Sequence, residues 1–400
     1  LTTTITRDPT GLPRILTLPG GGTWTFLHDA KGNLSRATDP LGNSTDHTYD
    51  VPGLNRLSTM DPRGSITAFN YDDNRRLTQV TWPTGSSKAW TYGCCAPQSV
   101  TDERGGTTAL VHDGLLRLTS RTSPDGGVTV FSYDEVGNLT RVTDPLGHVA
   151  TLAYDSADRL SATVDPRGAV SQVGYNAIGL PTTYQDSHGK TITQVVDALG
   201  RRTGMTDQTG RTVSLTLDAA GRTTRLTNAR GQTVDYAYDA DDRVTEKKYN
   251  GVQAASYTYG PTGKLATIAS ASHGTTAFNR DVMARVVDVA YPDGSNTHLT
   301  YDAVGNISSV SYPGGLTAAY VYDARNQVTS VAFGGMTVNI AYDAAGNMIA
   351  ESRSNGVTSS YGYDQANRLT SLAHAKGGKA FIQWVYTRNK LGQVTSARGE

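Results

Sequence analysis

The chain has 400 residues, with 36 basic and 36 acidic side chains and a formal net charge of zero. It therefore presents no electrostatic footprint for nucleic acid or an anionic membrane, and no stretch approaches the ~18 apolar residues of a membrane-spanning helix. Only 37% of residues are hydrophobic, while glycine reaches 43 and tyrosine 21, which does not suit the two or three globular domains that ~150 residues per domain would give. The two cysteines, Cys94 and Cys95, are adjacent. Neighbouring side chains on a strand face opposite ways, so neither a disulfide framework nor a thiolate zinc site is expected.

One short repeat runs from end to end. A Tyr-Asp pair, or a degenerate form of it, recurs with its first position at His28, Tyr49, Tyr71, Tyr92, His112, Tyr133, Tyr154, Tyr175, Val196, Leu217, Tyr238, Tyr259, Asn279, Tyr301, Tyr322, Tyr342, Tyr363 and Tyr386. Arg7-Asp8 reads as one more copy, and the mean spacing is about 21 residues. Before each anchor comes an alternating segment: Thr129, Phe131 and Tyr133 share one face, as do Ala150, Leu152 and Tyr154. Such alternation between turn signals predicts a strand.

After the anchor, Asp134 to Gly137 predicts a tight turn, because residues such as glycine tolerate the left-handed backbone. A second strand follows over 138–143, with weaker alternation that suggests a bulge. Asp144-Pro145-Leu146-Gly147 then predicts a type I turn, recurring as Asp165-Pro166-Arg167-Gly168. No segment supports a helix, since turns arrive too often. About 19 units of two strands would make a sheet roughly 180 Å wide at ~4.8 Å per strand. Accumulated twist forbids a flat sheet of that width, so the strip is expected to coil.

The spacing Tyr133-Asp134-x-x-Gly137-Asn138-Leu139-Thr140-x-Val142-Thr143-Asp144-Pro145-x-Gly147 resembles the Rhs, or YD-repeat, family. That family includes bacterial Rhs polymorphic toxins, wall-associated proteins, Tc toxin B and C components, and teneurins. The resemblance implies an all-β fold in which tandem hairpins form one antiparallel strip that spirals into a hollow shell. In toxin members the shell encloses a C-terminal toxic polypeptide, released by aspartates of a closing core segment. Residues 363–400 read as further repeats, so no cleavage residues carry over. The expectation is one continuous array over 1–400, part of a longer protein, with no separate globular domain.

The expected site residues are structural. They are the anchors Tyr49, Tyr71, Tyr133, Tyr154, Tyr238, Tyr301, Tyr322, Tyr342 and Tyr363, and the turn residues Asp134, Gly137, Asp144, Pro145, Gly147, Asp165, Pro166 and Gly168. No catalytic, cofactor or metal residue is assigned. Asp72-Asp73 and Asp241-Asp242 lack the spaced oxygen ligands of a calcium loop, and no nucleophile elbow or phosphate loop occurs. Arg76, Arg117, Arg159, Arg201, Arg222, Arg243 and Arg368 share a position five after the anchor, and are read as a ladder to the turn aspartates of adjacent units. The 23-residue interval around Lys376–Trp384 is read as a seam or contact loop. The leading functional expectation is a non-enzymatic wall around a polypeptide cargo, without cofactor. Its partners would be the enclosed C-terminal segment or the remaining shell. The alternative is an extracellular or cell-surface adhesive or fibre-forming scaffold that binds glycan or a partner surface. Either role implies a secreted or surface location, although no targeting segment is legible in these residues.

Overall fold

The computed structural model describes residues 2–399 and is all strand. Thirty-eight strands, from β1 (Thr4–Arg7) to β38 (Val394–Gly399), form one antiparallel sheet, and among the described residues it does not close on itself. Registers join strands consecutive in the chain, as the repeat requires.

One repeat shows how the sequence builds the strip. In β13 (Val128–Tyr133) and β14 (Leu139–Thr143), Val130 faces Thr143, Phe131 faces Val142 and Ser132 faces Arg141. The register then skips Thr140, so that Tyr133 faces Leu139. Thr140 is thus the extra residue of a β-bulge, and its hydroxyl donates to the Ser132 carbonyl at 3.2 Å. The weak alternation after the anchor has this cause. On the far side of β14, pairing with β15 (Val149–Tyr154) ends at Arg141 opposite Thr151.

The two turns of the repeat share one construction. The Asp134 N–H donates to the Asn138 carbonyl, and the Gly137 N–H to the Asp134 carbonyl. Asp144, His148 and Gly147 repeat the same two bonds, both at 2.9 Å. The aspartate side chain completes each turn: Asp144 Oδ1 accepts from the N–H groups of Leu146 and His148 at 2.8 and 2.9 Å. The fourth residue of the turn takes the left-handed backbone, with φ of +85° at Gly147 and +82° at Gly168. Pro145 and Pro166 occupy the second turn position, where a fixed φ is preset for a type I turn.

Two anchors differ from the sequence reading. The turn hydrogen bonds start at Asp281 and Asn389, so the anchor positions are Arg280 and Arg388 rather than Asn279 and Tyr386. This restores a uniform interval on both sides of Arg280. The stretched interval near Lys376–Trp384 is a hairpin, not a seam. Strands of eight and ten residues, Leu369–Lys376 and Lys379–Arg388, meet at Gly377-Gly378 with both φ positive. A two-residue turn of that kind matches the strand twist.

The chain divides into two compact bodies. The first comprises Leu1–Val128, Gly260–Lys264 and Phe278–Glu400, and the second Thr129–Tyr259 and Leu265–Ala277. Within the first body the strip meets itself edge to edge, second turns of the early repeats against first turns of the late ones. Arg63 donates to the Asp323 carbonyl at 3.1 Å and to Asn326 Oδ1 at 2.8 Å. Arg104 donates to the Asp364 carbonyl at 2.8 Å, and Arg368 pairs with Asp125 at 2.8 Å. The approach is close: a Cβ added to buried Gly106 would lie 2.7 Å from the Gln365 carbonyl oxygen. The best-buried apolar side chains, Val310 and Ala318, also lie in this body, and among the described residues no large side chain is fully buried.

The left-handed turn position accepts substitution in opposite directions. Leu116 sits there at φ +62°, where a branched side chain is strained, so Leu116→Gly should stabilise the chain by about 0.5–1 kcal/mol. Gly147 has open space around its Cβ position, so Gly147→Val should cost roughly 1–3 kcal/mol from backbone strain alone. Denaturant unfolding measures both, and same-signed shifts would contradict the turn assignment.

Candidate functional site: tyrosine bridges and turn edges

The anchor tyrosines bridge consecutive repeats. Where β14 and β15 cease to pair, the Tyr154 hydroxyl donates to the Leu139 carbonyl at 3.0 Å. Leu139 is the residue opposite the preceding anchor, Tyr133. The same bond joins Tyr49 to Leu34, Tyr238 to Thr223, Tyr301 to Val286, Tyr322 to Ile307, Tyr342 to Val328 and Tyr363 to Met348, at 2.7–3.0 Å. Tyr92, Tyr175 and Tyr259 make it too. Tyr71 and Tyr133 hold the same register position, opposite Leu77 and Leu139. Burial pushes the phenols of Tyr238, Tyr322, Tyr342 and Tyr363 above their ordinary range. Arginine substitutes at the anchor in Arg7, Arg280 and Arg388, and each donates to a carbonyl of its own turn at 2.7–3.1 Å.

The arginine ladder is built differently from the sequence reading. Arg76, Arg117, Arg159, Arg201, Arg222, Arg243 and Arg368 each pair with the aspartate of their own turn, Nε to Oδ2, at 2.7–2.8 Å. Of these seven, Arg222 also reaches an aspartate of the next repeat, Asp242, at 2.7 Å. Arg76 reaches the Gly93 and Cys94 carbonyls of the next turn, at 2.8 and 3.2 Å. Arg76, Arg159, Arg222 and Arg243 lie over Tyr92, Tyr175, Tyr238 and Tyr259, 4.4–4.8 Å from the ring centre. Arg285 over Tyr301 is another case, missed in the sequence because its anchor was placed one residue early. The turn aspartate is closer because four residues of a tight turn return the chain to it, whereas the neighbouring turn lies two strands away, about 10 Å. Where the position is Asn, the amide does both tasks. Asn138 donates to Asp134 of its own turn and to Asp158 of the next, each at 3.1 Å.

Comparison with known proteins places this geometry. The teneurin YD-shell family matches residues 190–398, just over half of the chain, and the Rhs repeat matches residues 133–170. The chain belongs to the YD-shell family. Solved structures similar to this YD-shell chain include TcdB2-TccC3, with TM-score 0.55 and 16% identity over 97% of this chain and 24% of that one. The Photorhabdus luminescens Tc holotoxin pore matches with TM-score 0.55 and 15% identity, over 97% of this chain and 24% of that chain. Among curated proteins, double-stranded DNA deaminase toxin A of Burkholderia cenocepacia (strain H111) is 33% identical over 112 residues, 22% of this chain and 8% of that protein. The YD-shell chain thus spans a minor part of the relatives it matches.

Three of the four aspartates weighed for calcium are committed elsewhere in this YD-shell structure. Asp72 pairs with Arg76, Asp241 with Arg243 and Asp242 with Arg222. Among the described residues no three of His, Cys, Asp and Glu group so as to hold a metal ion, and Cys94 and Cys95 are free and exposed.

The turn aspartates set the pH response. Asp155, bonded first by the Arg159 side chain and then by turn N–H groups, is lowered to about 2. A folded-state value below the unfolded one, about 3.9, contributes stability that is complete above pH ~4 and lost as pH falls through the folded value. Raised tyrosines act oppositely, contributing stability below about pH 10 that is lost above it. Unfolding monitored across pH should therefore show a plateau between about 4 and 10 with a fall on both sides. Asp155→Asn should make the acid limb less steep by the share of one aspartate among many; an unchanged acid limb in that variant would contradict the assignment.

Proposed function

We propose that the strip is a non-enzymatic wall that encloses and protects a polypeptide, foremost a C-terminal toxin of a polymorphic toxin system. The observation that carries this reading is likeness along nearly the whole chain to the TcdB2-TccC3 fold. Further support comes from what the strip lacks. One face carries a row of large side chains two residues before each anchor, including Phe131, Leu152, Leu215, Tyr236 and Tyr257, and each is only half-buried. A sheet that satisfies its own backbone yet leaves this row partly uncovered suits the lining of a compartment better than the core of an enzyme. On this reading 1–400 is one repeat array of a longer, secreted or surface-exposed protein. Its partners are the enclosed polypeptide and the remaining shell.

Limited proteolysis of the full-length protein tests the proposal. The segment C-terminal to the array should be cleaved at least about tenfold more slowly within the intact protein than as a free polypeptide, because cleavage then needs shell opening. Equal rates would refute enclosure.

A further inference from the structure

One first turn of the array is built unlike its neighbours. The turns on either side begin at Asp72 and Asp113, whose N–H groups reach the carbonyls of Arg76 and Arg117, four residues on. Between β9 (Ser87–Tyr92) and β10 (Pro97–Thr101) the Gly93 N–H bonds the Ala96 carbonyl at 3.0 Å, three residues on. The loop is one residue shorter, and its tip is Cys94-Cys95. Gly93 also removes the carboxylate that accepts turn N–H groups at Asp72 and Asp113. Arg76 fastens this loop instead, its Nη1 donating to the Gly93 and Cys94 carbonyls at 2.8 and 3.2 Å.

The rule that sets neighbouring side chains of a strand on opposite faces does not govern these cysteines, because they lie past the end of β9. Both thiols are free and exposed. The Cys95 thiol is pushed above its ordinary range, chiefly by a hydrogen bond with the Cys94 thiol, which places the two sulfurs within reach of one another. A bond between adjacent residues closes almost no chain, and the stabilisation a disulfide gives grows with the loop it closes. Ring closure must also twist the peptide that joins them, and strained, exposed disulfides are the readily reduced ones. The pair is thus poorly suited to staple the fold and well suited to reversible redox chemistry.

We propose that Cys94 and Cys95 form a redox-active dithiol that closes to a vicinal disulfide by exchange with a small-molecule disulfide of the glutathione class. One thiolate attacks the small disulfide, breaking its S–S bond, forming a mixed disulfide and releasing one small thiol. The second thiolate then attacks the protein-bound sulfur, forming the Cys94–Cys95 bond and expelling the other small thiol. Two S–H bonds are lost from the protein, and two electrons pass to the small disulfide, whose sulfurs leave as thiols carrying the two protons. Closure re-aims the Cys94 carbonyl and so loosens one of the two bonds to Arg76. The meeting of both thiols in one loop tip carries the assignment, independently of cargo enclosure and of what covers this edge of the strip.

Peptide mass analysis of the full-length protein tests it. After incubation with glutathione disulfide, tryptic peptide 89–104 should be lighter by two hydrogens and free of glutathione. Excess reduced glutathione should restore the dithiol. One equivalent of phenylarsine oxide, which bridges converging sulfurs, should protect both thiols from alkylation. Cys94→Ser and Cys95→Ser should each retain the mixed disulfide instead, and unchanged thermal midpoints will show that their folds are intact. Two stable adducts on the native peptide, a disulfide to another chain, or thiols left unreacted by the oxidant would overturn the proposal.

Discussion

The strip depends on a carbonyl that the sheet itself does not pair. The bulge at Thr140 shifts the register so that β14 and β15 part before β14 reaches its first residue. The Leu139 carbonyl is then left facing a gap. A backbone acceptor without a partner costs about 1–3 kcal/mol when shielded from water, and the same arrangement recurs in the repeats anchored on Tyr49, Tyr92, Tyr175, Tyr238 and their counterparts. Tyrosine closes it because its ring spans the space and its hydroxyl ends at the carbonyl. Phenylalanine would fill the space and leave the acceptor bare; a short hydroxyl residue would not reach. Tyrosine therefore dominates the anchors and the aromatic composition alike.

The aspartate that follows serves a second local need. Its carboxylate accepts N–H groups that the turn would otherwise leave without partners, and Arg or Asn five residues past the anchor ties that carboxylate towards the next repeat. These are surface interactions, each worth about 0–1 kcal/mol. Their number gives them weight, since the stability of a repeat array is approximately a sum of neighbour terms. In many repeats the basic and acidic partners are built into the same turn, so their charges offset locally. The glycine excess has the same origin, one left-handed position in each of two turns per repeat.

Much of this was legible in the sequence. The strand before the anchor, both turns and the single-sheet architecture follow from alternation and from the Asp-Pro-x-Gly spacing around Asp144 and Asp165. Arg280 and Arg388 were hidden because the eye follows the tyrosine ring, whereas the turn is fixed by the aspartate or asparagine after it, Asp281 or Asn389. The partners of Arg159 and its counterparts depended on which carboxylate lies closer in space, and linear spacing ranks the neighbouring repeat too highly. The clasps of Arg63 and Arg104 join residues about 260 positions apart, a distance set by how the strip bends and not by any one repeat.

A wall made of identical neighbour contacts can be long, resist local damage and still need contents or further layers to cover its faces and edges. That links the tyrosine bridge to the proposed role, because enclosure requires that neighbouring hairpins not part. Hydrogen exchange on Tyr154→Phe tests the bridge most directly. The account predicts faster exchange confined to amides of Leu139–Tyr154 and the flanking strands, with an overall loss of about 0.5–1.5 kcal/mol. Exchange unchanged at those amides, or accelerated evenly along the whole strip, would contradict it.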